Sequence, residues 1–153
     1  MLASAFESYR QAIKSRHLSL VWHGYGSAIF LEIGELSTQQ RRDGSDGNPK
    51  GEYTVMIEWS WRIESEAAIL AGSWTDEQNW DEIFEPLVGR RIEDVVLFAR
   101  LPELSITLEK GRYFTSFMTA EGQPAWTIFR NSRDDGKVSS ISVVAGHVVE
   151  AFE

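Results

Sequence analysis

The chain contains no cysteine, which excludes disulfides, thiolate metal sites and a cysteine nucleophile. Histidine is scarce: His17, His23 and His147 stand at spacings that match no metal motif. Glycine-rich phosphate loops, GxSxG elbows and SxxK pairs are missing as well. These absences leave no catalytic residue, metal ligand or cofactor to expect. No apolar run approaches the ~20 residues that span a bilayer. The opening "MLASAFESYRQAIKSRH" is broken by polar residues every few positions, so it reads as neither signal peptide nor membrane anchor. With the missing cysteine, that points to the cytoplasm and away from membranes. Basic residues are in deficit, 15 against 23 acids, for a net charge of −8. The overall field therefore repels phosphate backbones, which argues against nucleic acid and favours a basic protein partner.

Aromatic side chains are what the chain has in quantity, with six tryptophans among them, and rings that large favour burial over disorder. At 153 residues it is expected to be one domain, 1–153, long enough to bury a core without a staple. Leu2, Phe6, Tyr9 and Ile13 line one face of an N-terminal amphipathic helix, with Ser4 and Glu7 as its capping box. Leu18, Leu20 and Trp22, then Ile29, Leu31 and Ile33, alternate as two strands around "HGYGS". "STQQRRDGSDGNPKGE" has no apolar pattern and reads as a long, mobile loop. Tyr53, Val55, Ile57, Trp59, Trp61 and Ile63 then take every odd position of one half-buried antiparallel strand.

"AAILAGSW" adds a short strand. A second helix is expected near 76–88, where Trp80, Ile83, Phe84 and Leu87 share a face and Gly89 closes it. The remainder reads as strands, "RIEDVVLFAR", "LSITLEKG", "RYFTSFMT", "AWTIFRN" and "VSSISVVAGHVVEA", separated by turns such as "AEGQP" and "RDDG". Strands dominate without a recurring βαβ alternation, so the class is α+β with a largely antiparallel sheet, an N-terminal helix and a second helix.

An internal comparison divides the chain at 1–74 and 75–153. "AIFLEIG" (28–34) matches "SITLEKG" (105–111), "EWSWRIES" matches "PAWTIFRN", and "AAILAG" matches "ISVVAG". Two duplicated halves, each too small for a core of its own, would share one about a pseudo-two-fold. A cleft at that junction would be lined by Trp59, Trp61 and Trp126, with Glu58 or His23 as polar groups, and would suit a small molecule or an enzyme reaction. The bland alternative for Trp59 and Trp61 is the wall of a core, since both continue an unbroken alternation. Glu32 and Glu109 are the acids of the Leu-Glu match; related by a pseudo-two-fold they could form an acid–base pair or a cation site, while a solvated strand face accounts for both.

Asp76 to Glu85 holds five acids and no base. Asp76 and Glu77 suit a helix N-terminus, but Asp81, Glu82 and Glu85 extend beyond it. Those three form an anionic face able to steer a basic partner, or else an ordinary solvated one. A third expectation is association between copies through an unpaired strand edge.

"WDEIFEPLVGRRIEDVVLFARLPELSITLEKGRYF" resembles a group of small, uncharacterised bacterial proteins that accompany toxin genes and are classed as immunity-like. The resemblance covers about residues 80 to 130 and rests on apolar spacing with "LVGR" and "EKG". It carries over no catalytic residue. It implies a non-enzymatic, partner-binding role, and the acidic balance fits the blocking of a basic toxin.

Overall fold

The computed structural model describes residues 2–122, 124–131 and 138–152. Helix α1 (Leu2–Ile13) leads into β1 (Leu18–His23), β2 (Ile29–Ile33), β3 (Tyr53–Ile57), β4 (Trp61–Glu64) and β5 (Ile69–Gly72). A helical stretch follows, in which α2 (Trp80–Phe84) is flanked by 3-10 turns at Glu77–Asn79 and Glu85–Leu87. The chain closes with β6 (Ile92–Phe98), β7 (Glu103–Leu108), β8 (Arg112–Ser116), β9 (Trp126–Asn131), β10 (Val138–Val144) and β11 (His147–Phe152). Every paired strand is antiparallel, so the fold is α+β. No described helix is long and apolar enough to cross a membrane.

The strands form two sheets, one ordered β1-β2-β3-β9-β10-β11 and the other β5-β4-β8-β7-β6. Each half of the chain gives a three-strand meander to one sheet and its next hairpin to the other. The meander β1-β2-β3 is met by β9, and the meander β6-β7-β8 is met by β4. Side chains from both sheets and both helices join in one buried apolar cluster, which includes Leu31, Val55, Ile63, Ile106, Phe114 and Ile128. The two meanders begin side by side: His17 bridges Arg91, Leu18 N–H donates to the Arg90 carbonyl, and Ile92 N–H donates to the Arg16 carbonyl.

The path repeats in detail. A bulge follows Leu18 opposite Ile33, and another follows Ile92 opposite Leu108. Gly34 N–H donates to the His17 carbonyl, as Glu109 N–H does to that of Arg91. These features align Ile33 with Leu108, and hence Glu32 with Thr107. The Leu-Glu match is therefore two residues out of register, and Glu109 is not the counterpart of Glu32.

The helices close the two flanks. Tyr9 and Ile13 of α1 are wholly buried, the Tyr9 hydroxyl meets Ser139 Oγ of β10 at 2.8 Å, and Arg10 forks onto Asp94 of β6 at 2.7 and 3.0 Å. On the opposite flank Trp80 and Phe84 pack edge-on or tilted against Trp61 of β4, and Trp80 meets the His23 ring of β1. Arg10 holds the Asp94 carboxyl below the ordinary carboxylate range, with partial burial opposing it and the Val95 amide helping. A depressed carboxylate stabilises the fold above its unfolded pKa, and the contribution fades as pH falls through the folded value. Asp94→Asn should therefore narrow the gap between the urea midpoints at pH 7 and pH 3. An unchanged gap would show that this fork adds nothing to acid sensitivity.

Local expectations fail at identifiable places. The run from Tyr53 to Ile63 is not one strand: it ends at Ile57, turns through Glu58 to Ser60, and resumes at Trp61 in the other sheet. The bulge at Ser19 sends Leu18 and Val21 to the core and leaves Leu20 and Trp22 only partly buried. "VSSISVVAGHVVEA" is a hairpin, because Ala145 and Gly146 both adopt positive φ, 48° and 77°. Residues 37–51 double back through Ser37–Lys50 and Gln40–Asp46 bridges, so the long loop folds back on itself as an arm. The helix near 76–88 is α-helical over only five residues, shortened by Pro86 in its last turn, and Gly89 closes it at φ 94°. Ser4 lies inside α1, which begins at Leu2, so it does not precede the helix as a cap. The turn expected at "RDDG" lies outside the described residues.

Candidate functional site

Trp61 and Trp126 occupy equivalent positions. Trp61 pairs with Ser116 at the end of β8, and Trp126 with Ile57 at the end of β3. Both are 0% exposed. The Trp61 indole donates to the Ser27 carbonyl at 2.8 Å, and the Trp126 indole to the Pro102 carbonyl at 3.0 Å. Ser27 lies in the β1–β2 turn and Pro102 in the β6–β7 turn, so each ring reaches from its own sheet to a turn of the other. These two tryptophans seal opposite ends of one core.

The pocket anticipated between the halves does not assemble. Trp59 is 39% exposed, in the turn where the chain changes sheets, and therefore not part of the core wall. Glu58 is half-buried in the same turn, its N–H given to the Ala125 carbonyl. His23 is exposed and stands edge-on to Trp80 at 5.6 Å. Trp126 sits in the opposite sheet. Alternation along one continuous strand would have kept Trp59 and Trp61 on one face, and the break between β3 and β4 separates them.

A different surface gathers over β5 and its neighbour β4. A groove of about 420 Å³ is lined by Trp61, Arg62, Leu70, Trp74, Thr75 and Phe117, among others. Trp74 is 92% exposed, Ile69 64% and Leu70 49%, an unusual concentration of apolar surface for a single hairpin. Trp59 and Trp74 share an adjoining cleft with Ser27, Ser60 and Ser73. Ser27 Oγ donates to the Trp59 carbonyl at 2.6 Å, which ties the β1–β2 turn to this cleft.

The net charge of the chain is concentrated in the stretch of sequence that carries this groove. Residues 58–85 hold eight acids and one base, seven of the eight net negative charges of the chain. The base, Arg62, is tied to Glu64 at 2.7 Å. Asp81, Glu82 and Glu85 are all exposed, as are Glu66, Asp76 and Glu77. The acidic helix face expected from the sequence is thus open to solvent, and it follows Trp74 directly along the chain. Sequence reasoning missed the apolar half of the site. The signal was present in "AAILAGSW", where apolar side chains crowd a strand too short to bury them on both sides.

Glu32 also departs from expectation. It lies in β2 on the side of the six-stranded sheet away from the core, yet it is 0% exposed. Trp22 Nε1 donates to its Oε2 at 2.9 Å, while Gly51 N–H at 3.0 Å and the Thr54 hydroxyl donate to Oε1. Asn131 Nδ2 then donates to Thr54 Oγ1 and to the Gly51 carbonyl. Only glycine fits at position 51, because a Cβ there would run into the backbone of Ile33, and that close approach is what aims its N–H at the carboxylate. Trp22 stacks on Phe30 at 4.0 Å, and with Met56 and Phe129 they wall a cavity of about 310 Å³ above Glu32. The carboxylate takes all three of its donors from the chain itself, so it is satisfied without a ligand. Glu109 is partly exposed after β7, in the other sheet, and its carboxyl is lowered mainly by the Arg91 backbone N–H. The two acids do not meet.

Among the described residues no three His, Asp or Glu side chains gather where they could hold a metal ion. Comparison of the chain with protein-family models, with curated proteins and with solved structures finds no match.

Proposed function

We propose that this chain is a protein-binding module whose partner is a basic protein, in the manner of an immunity protein that blocks a toxin. The observation that carries the reading is Trp74, almost wholly exposed beside Ile69 and Leu70 and followed along the chain by the exposed acids Asp76, Glu77, Asp81, Glu82 and Glu85. Exposed tryptophan and leucine among like charges is costly on a surface that stays in water and is the composition of an interface centre with a charged rim. The acids steer a basic partner and set the encounter rate, and the apolar groove sets the lifetime of the complex. This reading needs no cofactor and no catalytic group.

The test is binding to a candidate basic toxin, measured by calorimetry and stopped flow at two salt concentrations. Trp74→Ala is expected to weaken the complex by roughly tenfold or more. Charge reversal at Asp81, Glu82 and Glu85 together should slow association by roughly tenfold and flatten its salt dependence. Both variants should unfold at the parent temperature, since none of the four side chains is buried. An affinity indifferent to both changes would overturn the proposal.

A further inference from the structure

The two sheets differ by one strand, and the repeat of the fold says where. Arg62 pairs with Gly72 in the β4–β5 hairpin as Thr127 pairs with Ser142 in the β9–β10 hairpin. With Trp61 equivalent to Trp126, β5 is the counterpart of β10. The far edge of β10 is covered by β11, antiparallel, with Ser142 opposite Val149 and Ser140 opposite Ala151. Beyond β5 the chain turns instead into Ser73–Trp74, and among the described residues no strand pairs with its far edge. The uncovered edge adjoins the groove that carries Ile69, Leu70 and Trp74 and runs back over β4 to Arg62 and Phe117.

We infer that the partner binds by adding a strand, antiparallel to β5, in the place that β11 fills in the other sheet. This rests on the protein-binding reading and names how the partner is held. Thr75 already closes one end of the edge: its Oγ1 accepts from Gly72 N–H at 3.0 Å and its N–H donates to the Gly72 carbonyl at 2.9 Å. A guest strand must therefore register on Ile69 to Ala71. That ladder is short and bulged opposite Ile63 and Glu64, so backbone bonds alone hold it weakly. Side chains supply the rest. Apolar residues of the guest pack into the groove against Leu70, Trp74 and Phe117, and alternation along the guest sends every second residue there. Exposed Glu66 lies before β5, and exposed Asp76 and Glu77 lie beyond it. The fitting segment is thus a short apolar strand with lysine or arginine at both ends.

The probe is a fluorescent peptide of alternating valine and threonine flanked by lysine pairs, titrated into the full chain. Binding is expected in the micromolar to submillimolar range, with Trp74→Ala weakening it by tenfold or more. N-methylating the amides on the ladder side of the peptide keeps its charge and side chains but removes its donors, and should weaken binding at least tenfold. Equal binding of the methylated peptide would overturn strand addition while leaving the protein-binding reading intact, since charge and groove would then suffice. No binding of the unmodified peptide at millimolar concentration, with the basic partner still bound, would likewise overturn strand addition alone. Failure of peptide and partner together would remove both readings. Sedimentation that shows a dimer which the peptide does not dissociate would place a second copy on β5 and also overturn the inference.

Discussion

Trp61→Ala is expected to lower the unfolding free energy by about 3–5 kcal/mol, the range for removing a large ring from a closed core. The ring is wholly buried, lies 5.1 Å from the Trp80 ring and 5.7 Å from that of Phe84, and holds the Ser27 carbonyl. Alanine would leave a cavity under α2 and release the β1–β2 turn together. The loss is a large share of the 5–15 kcal/mol typical of a domain, so the variant should sit near its unfolding midpoint in mild urea. Trp61→Phe keeps most of the packing and loses the indole N–H, for roughly 1–2 kcal/mol. Trp126→Ala should match Trp61→Ala, because it fills the equivalent position and holds the equivalent turn through Pro102. Trp74→Ala, on the surface, should stay within about 0.5 kcal/mol of the parent. Urea denaturation of the four variants decides the matter. A Trp61→Ala loss below about 1 kcal/mol would show that this ring is not a structural anchor.

Glu32→Ala should be comparably damaging, since each buried donor left without a partner costs about 1–3 kcal/mol. The substitution removes one acceptor group and strands three donors, the buried Gly51 N–H and Thr54 hydroxyl and the partly buried Trp22 Nε1. An unpartnered buried donor costs the full desolvation of the group, which is why deletion is worse than the bonds themselves are worth. Glu32→Gln is the sharper probe. Glutamine has the right size, but its NH₂ must point at a donor in either orientation, so one hydrogen bond becomes a repulsive contact. A loss of roughly 1–3 kcal/mol is expected there, and Glu109→Ala should be silent. If Glu32→Gln and Glu32→Ala both left the melting temperature unchanged, the network below the Trp22–Phe30 stack would not be holding β1, β2, β3 and the 37–51 arm together.

The two effects differ in how far they could be read from the sequence. Burial of Trp61 and Trp126 follows from their place in apolar alternation, and the likeness of "EWSWRIES" to "PAWTIFRN" already pairs the segments that carry them. Burial of Glu32 does not follow. It stands at a polar position of an alternating strand, and alternation says only which residues share a face. What covers the outer face depends on Trp22, Phe129, Asn131 and Gly51, brought from strands and an arm far apart in sequence. The same limit explains Trp59. Its period is that of Trp61, and nothing local announces that the chain crosses between sheets at Glu58–Ser60.

By itself, then, the sequence determined the local quantities: α1 and the short helical stretch after Trp74, nine strand segments of which two proved to be pairs of strands, the antiparallel α+β class, and the crowding of acids at Asp76–Glu85. Each is set within a few residues by side-chain period or charge. Tertiary structure decided which sheet each strand joins, which polar face is covered, and which strand edge is left open. Those depend on the exchange of hairpins between the two halves, a choice made by long-range packing that no window of sequence contains. The acidic stretch was legible from the start; the open edge of β5 near Trp74, on which the proposed binding mode rests, became visible only once β11 was seen to have no counterpart.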